Sequence, residues 1–371
     1  MDKGLDIDAL ALIAVAHAAL NDRPSALGDY LREFLASYPA STREARVRQL
    51  DRRLREQGLK ADWRVAELAG EWLLEPANQL IFIGCDAYPP LLSAIPKPPP
   101  VLMVSGDAGH LKRPQVAIVG SRRATAAGRD TAYALARELA AHGLAITSGL
   151  ASGIDGAAHR GALAAAAPTV AVFGCGLDHV YPPGHRELAA QIRISGTLVS
   201  ELPLAARPTR HSFPRRNRII SGLALGTVVV EAALTSGSLI TALQALEQGR
   251  EVFAVPGPVQ STLSQGCHAL IRQGAVLTER AADVLEGLDG FQGIGRRTEA
   301  EAPATPPAPL APLEFRVLEA CEFVAAGFDT LLERTGLTAP ELSSILTALD
   351  MKGLVRSEYG GTFVRIAKSR A

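Results

Sequence analysis

Val116-Ala117-Ile118-Val119-Gly120-Ser121-Arg122-Arg123 decides the fold. Four apolar residues run into a glycine, and a helical pattern begins near Gly128. A strand that is apolar throughout is buried on both faces, the habit of a parallel sheet covered by helices. At the carboxyl end of such a strand, backbone N–H groups and the next helix N-terminus attract anions. Gly120 lets a ligand approach the backbone, Ser121 adds a hydroxyl, and Arg122 and Arg123 add charge.

The pattern repeats outward in both directions. Short β-rich runs at 80–83, 101–104, 116–119, 145–147, 170–173, 198–199, 227–230, 252–255 and 276–277 read as strands. Helical stretches at 128–142, 155–166, 185–194, 238–248 and 267–273 separate several of them. Strands alternating with helices predict an α/β domain over residues 80–290, extended Rossmann-like and doubly wound, with a mostly parallel sheet. Residues 1–79 read as a helical domain. Its stretch 41–58 carries Arg43, Arg46, Arg48, Arg52, Arg53 and Arg55, but Glu44, Asp51 and Glu56 are mixed in, as on the solvated face of an amphipathic helix. Residues 291–312 hold too many prolines for a packed element and read as a semi-rigid linker. Residues 313–371 show three helices and a hairpin, the winged-helix plan, with Thr338 as N-cap and Pro340 in the first turn of the third helix. That helix carries Glu341 and Asp350 and few basic residues, which suits protein contact better than groove reading.

Bulk composition narrows the partners little. Lys and Arg number 38 against 38 Asp and Glu in 371 residues, so any basic site must be local. With 47% hydrophobic residues the chain can bury a large core. The four cysteines, Cys85, Cys175, Cys267 and Cys321, are far apart and signal neither zinc nor a disulfide framework. The start lacks a signal-peptide pattern, and no apolar run reaches the ~18–20 residues of a membrane span. A soluble cytoplasmic protein without membrane contact is expected, with no metal and no cofactor.

Three further segments carry chemistry. Thr147-Ser148-Gly149-Leu150-Ala151-Ser152-Gly153-Ile154-Asp155-Gly156-Ala157-Ala158-His159-Arg160 is a glycine-rich loop opening a helix. Ser148 and Gly149 are candidate phosphate contacts. Asp155 and His159, at i and i+4, form either an acid/base or half-metal pair or, more plainly, an Asp that caps the helix and hydrogen-bonds nearby groups, with His159 as its packing partner. His211-Ser212-Phe213-Pro214-Arg215-Arg216-Asn217-Arg218, with Arg210 before it, sets one aromatic among arginines. Charges that follow phosphates and a ring that stacks a base suit single-stranded nucleic acid, although a core Phe with carboxylate-paired arginines is the competing reading. Almost no acidic residue lies between Leu202 and Arg218, which weighs against that pairing. Val228-Val229-Val230-Glu231 ends a fourth strand, and Thr235-Ser236-Gly237-Ser238 opens the next helix, with Ser236, Gly237 and Ser238 as candidate phosphate or cap contacts. Glu231 pairs most readily with Arg218. Arg210, with Arg215 or Arg216, and with Asn217 beside them, is expected to face a strand.

Several absences matter. No Gly-x-Gly-x-x-Gly stands after the 116–119 strand and no acidic residue follows the next one, which weakens dinucleotide binding. No P-loop, nucleophile elbow or His-Glu-x-x-His motif is present.

At these segments the chain resembles the bacterial DNA-processing protein A family (DprA, also called Smf). The resemblance runs from about Tyr88 to Ala275 through Gly120-Ser121-Arg122, Ser148-Gly149-Leu150-Ala151-Ser152-Gly153-Ile154-Asp155, Gly174-Cys175-Gly176-Leu177-Asp178, Phe213-Pro214-Arg215-Arg216-Asn217-Arg218 and Ser236-Gly237-Ser238. It implies a dimerising Rossmann-like domain that protects incoming single-stranded DNA and helps load the RecA recombinase in natural transformation, without being an enzyme. It also implies an N-terminal sterile-alpha-motif-like domain, a C-terminal winged helix, and DNA contacts at Arg122, Arg210 and Phe213. His268 and His185 stand where the family usually has Asn. Two other readings are a nucleotide-processing, phosphoribohydrolase-type enzyme built on Glu231 and Arg218, and a regulator acting through its winged helix.

Overall fold

The computed structural model describes residues 63–288, 310–321, 326–358 and 361–366. The expected helical domain 1–79 lies outside these residues except for α1 (Trp63–Leu73) and the start of the first strand, and most of the linker 291–312 lies outside them too. The chain divides into two compact units, Met1–Arg296 and Arg297–Ala371.

The larger unit is built on nine strands: β1 (Asn78–Phe82), β2 (Val101–Gly106), β3 (Gln115–Gly120), β4 (Ala145–Ser148), β5 (Thr169–Val172), β6 (Thr197–Ser200), β7 (Gly226–Val230), β8 (Glu251–Ala254) and β9 (Val276–Leu277). Their order is β1-β2-β6-β5-β4-β3-β7-β8-β9. β1–β2 and β2–β6 pair antiparallel and the remaining pairs are parallel. All nine runs expected from the sequence are strands, shifted by a residue or two at their ends.

β3 is the hinge of this topology. From it the chain winds outward through β4, β5 and β6, then returns to place β7 on the other side of β3. Residues of β3 alternate between two cores. Val116 and Ile118 pack with α3 (Ala126–Ala141), α4 (Ile154–Ala164) and α9 (Ala281–Gly287). Ala117 and Val119 pack on the opposite face with α6 (Ser212–Leu223), α7 (Gly237–Glu247) and α8 (Gln265–Arg272). This two-sided burial is why the strand reads as unbroken apolar sequence. The short α2 (Pro90–Ser93) joins the second core through Leu92, and α5 (Arg186–Ser195) covers the β5–β6 end through Leu188, Ala189 and Ile192.

Small residues set how closely α3 and α4 approach. A Cβ on Gly161 would stand 2.3 Å from the Tyr133 carbonyl oxygen and 2.9 Å from the Ala136 Cβ.

Besides the short α2 and the two-residue strand Ala326–Gly327, two helices were not expected from the sequence. α9 follows the last strand, and α6 contains the whole Phe-Pro-Arg-Arg-Asn-Arg segment. Pro214 stands in the first turn of α6, where its missing N–H has no intrahelical acceptor to satisfy, so it does not break the helix.

The smaller unit contains α10 (Pro312–Ala320), α11 (Phe328–Thr335) and α12 (Ala339–Met351), with β10 (Ala326–Gly327), β11 (Val355–Glu358) and β12 (Thr362–Arg365) in the order β10-β12-β11. Leu331, Leu342, Leu346 and Leu349 form its core with Val317 and Val355. The Thr338 N–H donates to the Glu341 carboxylate at 2.9 Å, closing the start of α12. This is the expected winged helix.

Replacing Gly161 by Val should lower stability by about 1–3 kcal/mol through overpacking. The measurement is the midpoint of denaturant unfolding, and an unchanged midpoint would mean that α3 and α4 can separate without cost.

Candidate nucleic-acid interface

Where winding reverses, the loops after β3 and β7 diverge and leave a crevice outside the carboxyl ends of the strands. A pocket of about 820 Å³ occupies that place. Gly120, Ser121, Arg122, Arg123, Asp155, Arg210, Phe213, Arg216, Asn217, Ser236, Gly237 and Ser238 line it. Ser148, Gly149, Arg215, Arg218, Glu231 and His159 are not part of its lining.

The mouth is basic and aromatic. Arg122, Arg123 and Arg210 are exposed, and the Arg122 guanidinium lies 5.1 Å over the Phe213 ring. The same ring is 5.5 Å from that of Tyr181 at an angle of 43°. Phe213 is therefore half-buried beside the crevice, not a core residue. The far wall is the N-terminus of α7. Ser236 caps it, accepting from the Ser238 N–H, and the two hydroxyls are 2.7 Å apart. Exposed Gly237 leaves that positive helix end open to the pocket. Asn217 joins the two walls by donating to the Gly237 carbonyl at 3.3 Å.

Below the mouth, the protein's own groups fill the places that the sequence offered to a ligand. A Cβ on Gly120 would stand 1.8 Å from the Val230 carbonyl oxygen, so this glycine admits the neighbouring strand. Ser148 is fully buried and donates to the Ile118 carbonyl at 2.6 Å. Gly149 makes room for the Arg216 guanidinium. The hydroxyl of Ser148 and the N–H of Gly149, both expected at phosphates, are thus taken up by Ile118 and Asp155 of the protein itself.

Arg216 itself is 4% exposed. It donates from Nη1 to the Gly149 carbonyl at 2.7 Å and also to the Val172 carbonyl. It lies at the base of the pocket and does not face the surface as expected. Burial lowers its pKa to about 10, with Asp155 opposing the shift. Burial likewise pushes the Asp155 carboxyl up, against the pull of Arg216 and of the Ala151 and Gly149 N–H groups. Asp155 is committed to those N–H groups, at 3.3 and 3.1 Å, and His159 to the Thr169 hydroxyl at 2.7 Å. Gly153 and not Asp155 is the N-cap of α4, so the Asp155 carboxylate holds the loop before the helix instead of capping it, and the two side chains serve separate partners.

The expected Arg218–Glu231 pair does not form. Arg218 meets Glu201 at 2.6 Å and Arg215 meets the same oxygen at 3.1 Å, with the Glu201 side chain 2% exposed. The missing acid stood one residue before the stretch that looked acid-poor. Glu231 instead accepts from the Thr125 N–H at 2.9 Å and the Thr125 hydroxyl at 2.5 Å. Thr125 caps α3, so Glu231 occupies the helix start that the sequence offers to an anionic ligand. Its φ of 54° is the strain this placement costs. Tyr181 and Glu201 are site residues that sequence reasoning missed. The aromatic-proline pair Tyr181-Pro182 was the one visible signal for the first.

A doubly wound sheet whose switch-point crevice is walled by arginines, an open helix N-terminus and an aromatic pair defines a Rossmann-like protein with a basic, aromatic crevice. The model for DNA recombination-mediator protein A matches residues 79–289, and that for the DprA winged helix domain matches 301–361. Protein Smf of Escherichia coli (strain K12) is 41% identical over 304 residues, 80% of either chain. DNA processing protein DprA of Bacillus subtilis (strain 168) is 44% identical over 215 residues, 58% of this chain and 72% of that one. The crystal structure of DNA processing protein A from Streptococcus pneumoniae superposes with a TM-score of 0.58 at 32% identity, covering 77% of this chain and 94% of that one. That of DNA processing protein A from Helicobacter pylori, described for its single-stranded DNA binding mode, gives 0.51 at 30% identity, covering 56% and 94%. The chain belongs to the DNA recombination-mediator protein A family, and its function is that of a DNA recombination mediator.

Buried His159 has its pKa lowered to about 3, by burial first and then by His185, Arg216 and Arg160. Its folded value lies below the ordinary 6.5, so the unfolded chain takes up the additional proton between these limits. Stability therefore falls as pH drops below 6.5, by about 2 kcal/mol at pH 5. Thermal unfolding from pH 7 to 5 should show a flatter decline for His159→Gln than for wild type; parallel declines would contradict this.

Proposed function

We propose that the chain binds single-stranded DNA in the switch-point crevice, as a homodimer in the cytoplasm, and delivers it to the RecA recombinase without catalysing covalent chemistry. The observation that carries this reading is the Arg122 guanidinium over the Phe213 ring at the pocket mouth. It puts a phosphate partner and a stacking surface within one nucleotide of each other. Duplex DNA hides its base faces, so a site that pairs charge with an open ring selects unpaired strands. Arg122, Arg123 and Arg210 take phosphates along the strand. The open N-terminus of α7, with Ser236, Gly237 and Ser238, takes another. The Helicobacter pylori relative, described for single-stranded DNA binding, supports the choice of ligand. The dimer and the RecA partner rest on the family resemblance.

The enzymatic reading needed Glu231 and Arg218 to act together. They belong to separate networks, Glu231 with Thr125 and Arg218 with Glu201.

With Arg122, Arg123 and Arg210 neutralising phosphates, log K should fall with log salt at a slope of about −2, from about −0.7 per contact. Arg122→Ala should reduce that slope by about 0.7 and weaken binding to all sequences alike. Phe213→Ala should weaken binding about 5- to 150-fold with the slope unchanged, from a stacking term of about 1–3 kcal/mol. Fluorescence anisotropy across a salt series reads both. Equal affinity for single strands and duplex would overturn the proposal.

A further inference from the structure

Phe213 is hemmed in. Gly174 lies against it so closely that a Cβ there would stand 2.9 Å from the Phe213 Cδ1. Arg122 covers its ring from 5.1 Å. Phe213 is half-buried, so only part of its ring is open to a base. Tyr181 differs in each respect. It is 46% exposed, it lines the same pocket, and among the described residues its hydroxyl makes no hydrogen bond.

The loop that carries Tyr181 is nevertheless fixed. The Gly176 N–H donates to the Ala206 carbonyl at 2.8 Å, the Ala205 N–H to the Asp178 carboxylate at 2.9 Å, and the Cys175 thiol to the His179 carbonyl at 3.0 Å. Beyond Tyr181, the His185 N–H donates to the Pro182 carbonyl at 3.0 Å. An apolar ring held in water on a braced loop is preorganised to cover another flat surface, since little remains to be ordered on binding.

We propose that Tyr181 is a second base-stacking residue beside Phe213, and that it supplies the more open aromatic face of the site. The rings are 5.5 Å apart and inclined at 43°. A base sandwiched between them would need about 7 Å between parallel planes, two stacking contacts deep. The base therefore stacks on the outer face of Tyr181. The ligand class is an unpaired nucleobase within a strand whose phosphates reach Arg122 and Arg210. The inference rests on the single-stranded DNA reading above and deepens it.

The test compares a thymidine oligonucleotide with an abasic strand of equal length. The full chain is titrated with each, and Tyr181→Ala is titrated beside wild type. The variant should bind the base-bearing strand about tenfold more weakly, bind the abasic strand as wild type does, and keep the wild-type salt slope. Tyr181→Phe, which keeps the ring, should restore the lost affinity. Equal loss on both strands would make Tyr181 a structural support, and no loss on either would remove it from the interface. Either result overturns the inference while the functional reading stands. A wild-type chain that binds neither strand would overturn that reading and this inference together.

Discussion

Arg216 is the interaction on which the site depends. A guanidinium taken out of water costs several kcal/mol unless its surroundings replace the lost hydrogen bonds. Here the replacements are the carbonyls of Gly149 and Val172, with Asp155 nearby as counter-charge. Gly149 follows β4 directly and Val172 ends β5. One side chain thus fastens α6 to the carboxyl edges of two strands. Asp155, in the first turn of α4, ties its own helix to the same loop through Gly149 and Ala151. The helix that presents Phe213 is thus held from beneath by a buried charge, in addition to its core packing and its Glu201 and Gly237 contacts.

The fold was legible because its signals are independent of partners. Two-sided burial makes strands such as β3 and β7 continuous apolar runs, and proline density marks the linker. The site was legible in location for a related reason: switch-point loops are polar and glycine-containing whatever they bind. What the residues do inside that location was not legible. Glycine signals that something approaches the backbone but not what. At Gly120 it is the Val230 carbonyl, at Gly128 the Glu231 carboxylate and at Gly149 the Arg216 guanidinium. Gly120 and Gly149 are both open to reading as room for phosphate. In a small-residue crevice the protein's own polar groups compete for the same space, and only the three-dimensional pairing decides between them.

The arginines show what would have sharpened the reading. As a basic track, Arg215, Arg216 and Arg218 are equivalent. On a helix they are not, because neighbours three and four apart share a face and adjacent residues do not. Arg215 and Arg218 are three apart and both reach Glu201. Arg216 and Ile220 are four apart and both turn inward, one to the strand carbonyls and the other into the core. Phe213 and Asn217, again four apart, both line the pocket. Pro214 obscured this periodicity, since a proline in a short segment reads as a breaker unless it is recognised as first-turn. The division of labour follows from placing the helix start at Ser212. One face binds, one anchors and one is neutralised by a buried carboxylate. A net-neutral chain can then present a basic crevice, because the arginines at α6 that do not face the ligand are each held by an acceptor of the protein's own.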